Sequence, residues 1–378
     1  MAGGNALDYI NWRGDITFDA DPFNVVDLFL CSQLATPDLS SAMPEDTKII
    51  SLKDAADIYF KRHSMSVRNL GVLQSESVLP MLKAMAESRR YEDVKIANYT
   101  VNNNIAFTEQ FSAVTILLPN DLTVVAYRGT DDTLYGWKEN FNIAVSEQVP
   151  AQKDALSYLT YAASETTGPL YVVGHSKGGN LAVYAAVKSS PDIQDRIGAV
   201  VNYDGPGFRK EFAESVDIKR LDEKIYNVRT QHSMVGTILY PIGEIAYYKS
   251  KVKGPMAHDG FNWEVVRNEF TLLEGQAEDS KYFEQTLNST LELMNTEERI
   301  DFINDFFTAL MSSGAVTISD ITAMDYYSLL KLINNIRKSE KVRAFGTNLI
   351  ENYIRILNKN NPDPVVTTIK TLILKITN

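Results

Sequence analysis

The 378-residue chain carries 37 Lys and Arg against 48 Asp and Glu, a formal charge of −11, with 44% hydrophobic and 22% charged residues. That composition is globular, and its acidic balance argues against a general affinity for nucleic acid or anionic membrane. A single cysteine, Cys31, excludes an intrachain disulfide, and the length suits one large α/β domain with additions, or two domains.

The opening stretch, "MAGGNALDYINWRGDITFDADPF", has no basic segment followed by an apolar core, so no signal peptide is expected. No apolar run reaches about eighteen residues, so no spanning helix is expected either, and a soluble, cytoplasmic protein is the expectation. Residues 1–20 read as an irregular or short-stranded lead-in. Asp21-Pro22 offers an N-cap and an N1 proline to a helix carrying Val25, Val26, Phe29 and Leu30. Cys31, inside that apolar run, reads as a buried structural thiol. Helical stretches follow over roughly 52–62 and 75–90, giving a helical lead-in of about 21–90. The period then changes. "VKIANYTVNN", "FSAVTILLP" and "LTVVAYRGT" are strand-like, and Asn120-Asp121 marks a turn, so the sheet starts antiparallel. From about 151 the pattern alternates: helix 151–166, strand 170–173, helix 180–189, strand 198–203, helix 209–222, strand 224–230. Alternation of this kind indicates parallel βαβ units. Beyond about 264, Asn295 with Glu298 resembles a capping box, and Ile300, Ile303, Phe306, Phe307 and Leu310 follow on one helical face until Gly314. Residues 322–338 and 343–358 read as amphipathic helices, 358–364 as a loop and 365–377 as a last apolar segment. The expected fold is α/β: a mixed, mostly parallel sheet in a domain of residues 1–270, with an all-helical appendage at 271–378 that either caps a site or forms a dimer surface.

Within "YVVGHSKGGNLAVYAA" (171–186), Gly174-His175-Ser176-Lys177-Gly178 is a G-x-S-x-G pattern between a short strand and an Ala-rich helix. That is the setting a nucleophile elbow requires. The turn strains the serine backbone and brings neighbouring chain very close, which glycine at 174, 178 and 179 permits. The helix begins just after Ser176, so its free N–H groups face any oxyanion formed there.

A serine alkoxide needs a base, and the base an orienting acid. Of four histidines, His63 precedes the elbow in a basic helical stretch and His175 lies inside it with a packing role. His258, in the Gly/Pro-bounded loop "KGPMAHDGFNWEV", is favoured, with His232 at the end of strand 224–230 as the runner-up. Asp204 is the first residue beyond strand 198–203 and can reach an imidazole; its bland alternative is a turn-former in Asp-Gly-Pro-Gly. Asp259 adjoins His258, and neighbouring side chains diverge. The oxyanion donors are expected from the Lys177 backbone N–H and from Thr130, after the strand that ends in Arg128-Gly129. Arg128, Asp131 and Asp132 also read as a surface ion-pair cluster.

The pairing of "VVAYRGTDDTLYGWKENF" with "YVVGHSKGGNLAVYAA" resembles class 3 lipases, in which an R-G-[ST] loop precedes a G-H-S-x-G-G elbow. "GHSKGGNLA", "NYDGPGF" and the lead-in from Leu7 are more specifically similar to the Mbeg1-like family, a bacterial set of uncharacterised α/β-hydrolases. The resemblance covers roughly residues 5–270 and implies an α/β-hydrolase of lipase or esterase type with Ser176 as nucleophile and Thr130 and Lys177 at the oxyanion site. Class 3 lipases place the acid after the next strand, where this chain has Gln231-His232-Ser233; Asp204 instead stands where pancreatic-type lipases carry theirs. Lys177 replaces the usual Leu, and only its backbone N–H is required. "MVGTILYPIGEIAYY" (234–248) is a candidate acyl-chain wall. The expected activity is hydrolysis of a carboxylic ester or thioester of a lipid-like substrate, with no metal or organic cofactor implied. The rivals are a catalytically weak binding or scaffold protein and a peptidase or acyltransferase using the same residues.

Overall fold

The computed structural model describes residues 3–43, 48–63, 75–215 and 218–360. The apolar segment expected at 365–377 and the loop residues 361–364 lie outside them.

The lead-in is helical from the start, not irregular. Asn5 caps α1 (Ala6–Arg13), and the Asp8 carboxylate accepts from the Asn5 N–H at 2.9 Å. Asn24 and Asp27 repeat the arrangement on α2 (Val25–Gln33). The cap is therefore Asn24 and not Asp21-Pro22: an Asx side chain directly before the first apolar turn satisfies two helix N–H groups, while Asp21 pairs with Arg13 at 2.7 Å. The fully buried Asp27 also binds Arg90 Nη2 at 2.5 Å and accepts from the Tyr9 and Tyr91 hydroxyls, which pins the lead-in to the chain 60 residues later. Burial pushes the Cys31 thiol upward, as a structural cysteine requires.

After β1 (Ile49–Ser51), α3 (Leu52–Arg62) and α4 (Val78–Glu87) come β2 (Lys95–Asn104), β3 (Glu109–Leu117) and β4 (Thr123–Tyr127). Then follow α5 (Leu134–Asn142), α6 (Pro150–Ser164), β5 (Leu170–His175), α7 (Lys177–Lys188), α8 (Pro191–Arg196), β6 (Ile197–Tyr203), α9 (Lys210–Ala213), β7 (Ile225–Thr230) and β8 (Glu244–Tyr248). A small hairpin, β9 (Val265–Val266) with β10 (Glu269–Phe270), precedes β11 (Leu272–Leu273), which pairs antiparallel with β8 and closes a nine-stranded sheet in the order β1-β2-β3-β4-β5-β6-β7-β8-β11. Strands β1 to β4 run antiparallel, and β4 to β8 run parallel. Both faces of the central strands are buried, so they read as continuous apolar runs. Val124, Ala126 and Val173 join the core under α1–α4, whereas Val125, Tyr127 and Val172 join the one under α6 and α7.

The helix expected over 209–222 shrinks to the single turn of α9. Phe208 is held extended by its pairing with Tyr240, α9 ends at Ala213, and Ile218 and Leu221 are buried. The helical region starts at Glu278 with α10 (Glu278–Glu292). The capping box forms as read: Asn295 and Glu298 exchange two 3.0 Å bonds at the start of α11 (Thr296–Met311). Ile303, Phe307 and Leu310 face the core, but Ile300 is exposed. Gly314, at φ +86°, ends the segment. Residues 322–338 divide between α12 (Ile318–Thr322) and α13 (Tyr326–Ile336), and 343–358 lies inside α14 (Glu340–Asn360). These helices pack on α5 through Leu134, Phe302, Phe307 and Leu332. A mixed sheet covered on both faces, with a sharp turn at Ser176 between β5 and α7, is an α/β-hydrolase fold.

Candidate active site

Ser176 leaves β5 at φ +58°, ψ −131°, a conformation a non-glycine residue adopts only under constraint. The constraint is close packing. A Cβ at Gly174 would strike the Gly178 backbone, and one at Gly178 the Tyr127 carbonyl at the end of β4. Gly179 is similarly pressed against Asn202, and Gly205 against the Ser176 carbonyl. The Ser176 N–H donates to the Tyr203 carbonyl at 2.9 Å, tying the elbow to the tip of β6. Helix α7 begins at Lys177, directly after Ser176, so the positive end of its dipole lies at the elbow.

Asp204 is the first residue past β6 and sits at φ +52° with 1% exposure. Its Oδ2 accepts from His258 Nδ1 at 2.7 Å and its Oδ1 from the Ser233 hydroxyl. Gly236 supplies the room, since a Cβ there would meet Asp204 Oδ1. His258, 3% exposed, ends a one-turn 3₁₀ helix spanning Gly254–His258. With Nδ1–H held by the carboxylate, Nε2 is left as the basic nitrogen. His175 does more than pack. Its ring lies 4.5 Å from that of His258, and its Nε2 donates to the His258 carbonyl at 2.7 Å. Burial, reinforced by the neighbouring His258, pushes the His175 pKa down to about 3, so it holds the His258 backbone as a neutral ring. Asp259 caps the Phe261 N–H at 2.9 Å. His232 stands apart from this set: its Nδ1 meets both oxygens of Asp279 on α10 at 2.9 Å.

Thr130 follows β4, whose end abuts Gly178. The Asn140 Nδ2 amide donates to the Thr130 hydroxyl at 2.6 Å, and Asn140 Oδ1 lies 2.9 Å from it. Arg128 approaches Asp131 at 3.9 Å, but the expected surface cluster is not formed. Asp132 is buried, and its Oδ2 accepts from the Ser319 N–H of α12 because it caps that helix.

Lys177 contributes more than a backbone amide. Its side chain, 1% exposed, runs under the elbow; Nζ donates to the Gln110 carbonyl at 2.6 Å and pairs with Glu139 Oε2 at 2.8 Å. Glu139 further accepts from the Gln110 N–H at 3.1 Å and the Ala151 N–H at 3.0 Å. One turn of α5 thus reaches both expected oxyanion residues, Glu139 touching Lys177 and Asn140 touching Thr130.

Ser176 and Lys177 line a cavity of about 310 Å³, at the lower end of ligand-pocket sizes. Val235, Ile238 and Leu239 form one wall, as the 234–248 stretch suggested. Phe283, Leu287 and Leu291 of α10, with Phe302 and Ile303 of α11, form the opposite one. The C-terminal helices therefore cover the site. Glu139, Asn140, Ser233 and Asp279 escaped the sequence reading because their partners are 10 to 47 residues away in the chain. Among the described residues, no group of three or more His, Cys, Asp or Glu side chains is placed to hold a metal ion, and no helix is long and apolar enough to cross a membrane.

No curated protein sequence matches the chain. Among solved structures, a triacylglycerol lipase described as having a serine protease triad in its catalytic centre is 11% identical, with a TM-score of 0.37 over 59% of this chain and 79% of that one. A variant of MDLA from Penicillium cyclopium is 12% identical, with a TM-score of 0.36 over 68% of this chain and 91% of that one. The Rhizomucor miehei lipase in complex with its propeptide is 12% identical, with a TM-score of 0.35 over 59% and 66%. At such TM-scores the likeness carries no residue's role over to this chain. The model of the Mbeg1-like family matches residues 85–308, more than half of the sequence, and the chain belongs to that family.

Proposed function

We propose that this protein is a serine hydrolase that cleaves carboxylic esters, or thioesters, of apolar acyl groups. The observation that carries this reading is the 2.7 Å bond from His258 Nδ1 to the buried Asp204, taken with a serine at positive φ that lines an apolar cavity. His258 Nε2 takes the Ser176 proton as Oγ attacks the acyl carbon. Asp204 fixes the tautomer and stabilises the imidazolium. The Lys177 N–H and Thr130 receive the oxyanion, whose charge the N-terminus of α7 also favours. His258 then protonates the leaving oxygen, and water releases the acyl group by the reverse sequence. The apolar cavity favours an acyl chain over a peptide.

Turnover of p-nitrophenyl esters from acetate to decanoate tests this. kcat/KM is expected to rise with chain length until the cavity is filled, and Ser176→Ala is expected to lower it by at least about 10³-fold. Cleavage of peptides with no ester turnover would reject the reading.

A further inference from the structure

A second cavity, of about 440 Å³, lies across α10 from the first, and Phe283 and Leu287 line both. The boundary continues through adjacent residues, with Met234 lining the second cavity and Val235 the first. Ser176 lines the first cavity only; the second is lined by chain neighbours of Ser233 and by the start of the turn that carries His258. Asn140 and Lys177, at the oxyanion side, line the first. His232 and Met234, which line the second, flank Ser233, the residue bonded to Asp204. Gly254, also in its wall, opens the turn that ends at His258. When an ester is cleaved by such a set, the carbonyl oxygen sits with the oxyanion donors and the alkoxy oxygen with the imidazole that protonates it. The alkoxy group therefore leaves toward His258, the side on which Gly254, His232 and Met234 line the second cavity.

We infer that the second cavity takes the alcohol part of the ester, a bulky and largely apolar alcohol, while the first takes the acyl chain; this rests on the hydrolase reading above. Leu349, Ile350 and Tyr353 of α14 supply an apolar wall. In the reaction, Ser176 Oγ bonds to the acyl carbon and its proton passes to His258. The carbon–alkoxy bond breaks, its electron pair stays on the alkoxy oxygen, and that oxygen takes the proton from His258. The free alcohol is then left in the second cavity, and water attacks the acyl-serine.

The probe is 4-phenylbutan-1-ol, with its butyrate ester compared with methyl butyrate so that the acyl part is constant. Calorimetric titration of the alcohol into the full-length protein is expected to show binding that Ile350→Trp, which fills the cavity, weakens at least tenfold. The same substitution is expected to lower the kcat/KM ratio of the 4-phenylbutyl to the methyl ester about tenfold. Unchanged alcohol affinity in Ile350→Trp, or an unchanged ester ratio despite weakened binding, overturns the inference. A failure of the hydrolase reading looks different: the wild-type protein turns over neither ester, and binding of the alcohol still decides whether the cavity is a ligand site.

Discussion

Asp204→Asn is expected to lower kcat/KM for a p-nitrophenyl ester by about 10³- to 10⁴-fold without unfolding the protein. The carboxamide matches the carboxylate in shape, and its oxygen still accepts from the Ser233 hydroxyl. Its NH2, however, faces His258 Nδ1, where a donor now meets a donor. The ring relieves this by moving its proton to Nε2, the atom that must be bare to accept the serine proton. The loss should fall on kcat rather than KM, because nothing in the substrate cavity changes. Steady-state kinetics with a thermal melt checks this, and a drop below tenfold in a folded variant would mean that Asp204 is only a turn residue.

Glu139→Leu is expected to destabilise the protein by about 3–5 kcal/mol, because it strands the Lys177 ammonium in the interior. Both partners are buried, at 1% and 0% exposure, so solvent does not screen the loss. A Tm drop of about 4–6 °C follows for a chain of this size. Glu139→Leu/Lys177→Met should recover most of the charge contribution. It should not recover all of it, since the Gln110 and Ala151 N–H groups still lose their acceptor. In the proposed mechanism Lys177 also provides an oxyanion N–H, so the single variant is expected to lose kcat as well. Equal melting points for the single and double variants would show that the ion pair contributes nothing.

The central strands and the elbow were legible in the sequence because their signals are local. Leu170–Val173 is a short apolar run, and glycine at 174, 178 and 179 meets a steric demand set within a few residues. The same holds for the Asn295–Glu298 capping box. Asp204 and His258 could be nominated because the fold fixes their order along the chain. Helix α5 was not legible, since Leu134–Asn142 includes Gly136, two asparagines and three aromatic residues, all weak helix formers. It is held by the Thr133 cap and by packing against the C-terminal helices. The lead-in carried its signal in Asn5 and Asp8, but α1 buries only Ala6, Tyr9 and Ile10, too few for a clear period. The Lys177–Glu139 pair joins residues 38 apart, and only the folded chain reveals that a lysine at a customarily apolar position has a buried partner.

The most direct measurement is labelling of the folded protein with a fluorophosphonate probe, read by intact mass and peptide mapping. One adduct on Ser176 is expected, absent in Ser176→Ala and sharply slowed in His258→Ala. A well-folded wild-type protein that takes no label, or a His258→Ala variant that labels at the wild-type rate, would contradict the account.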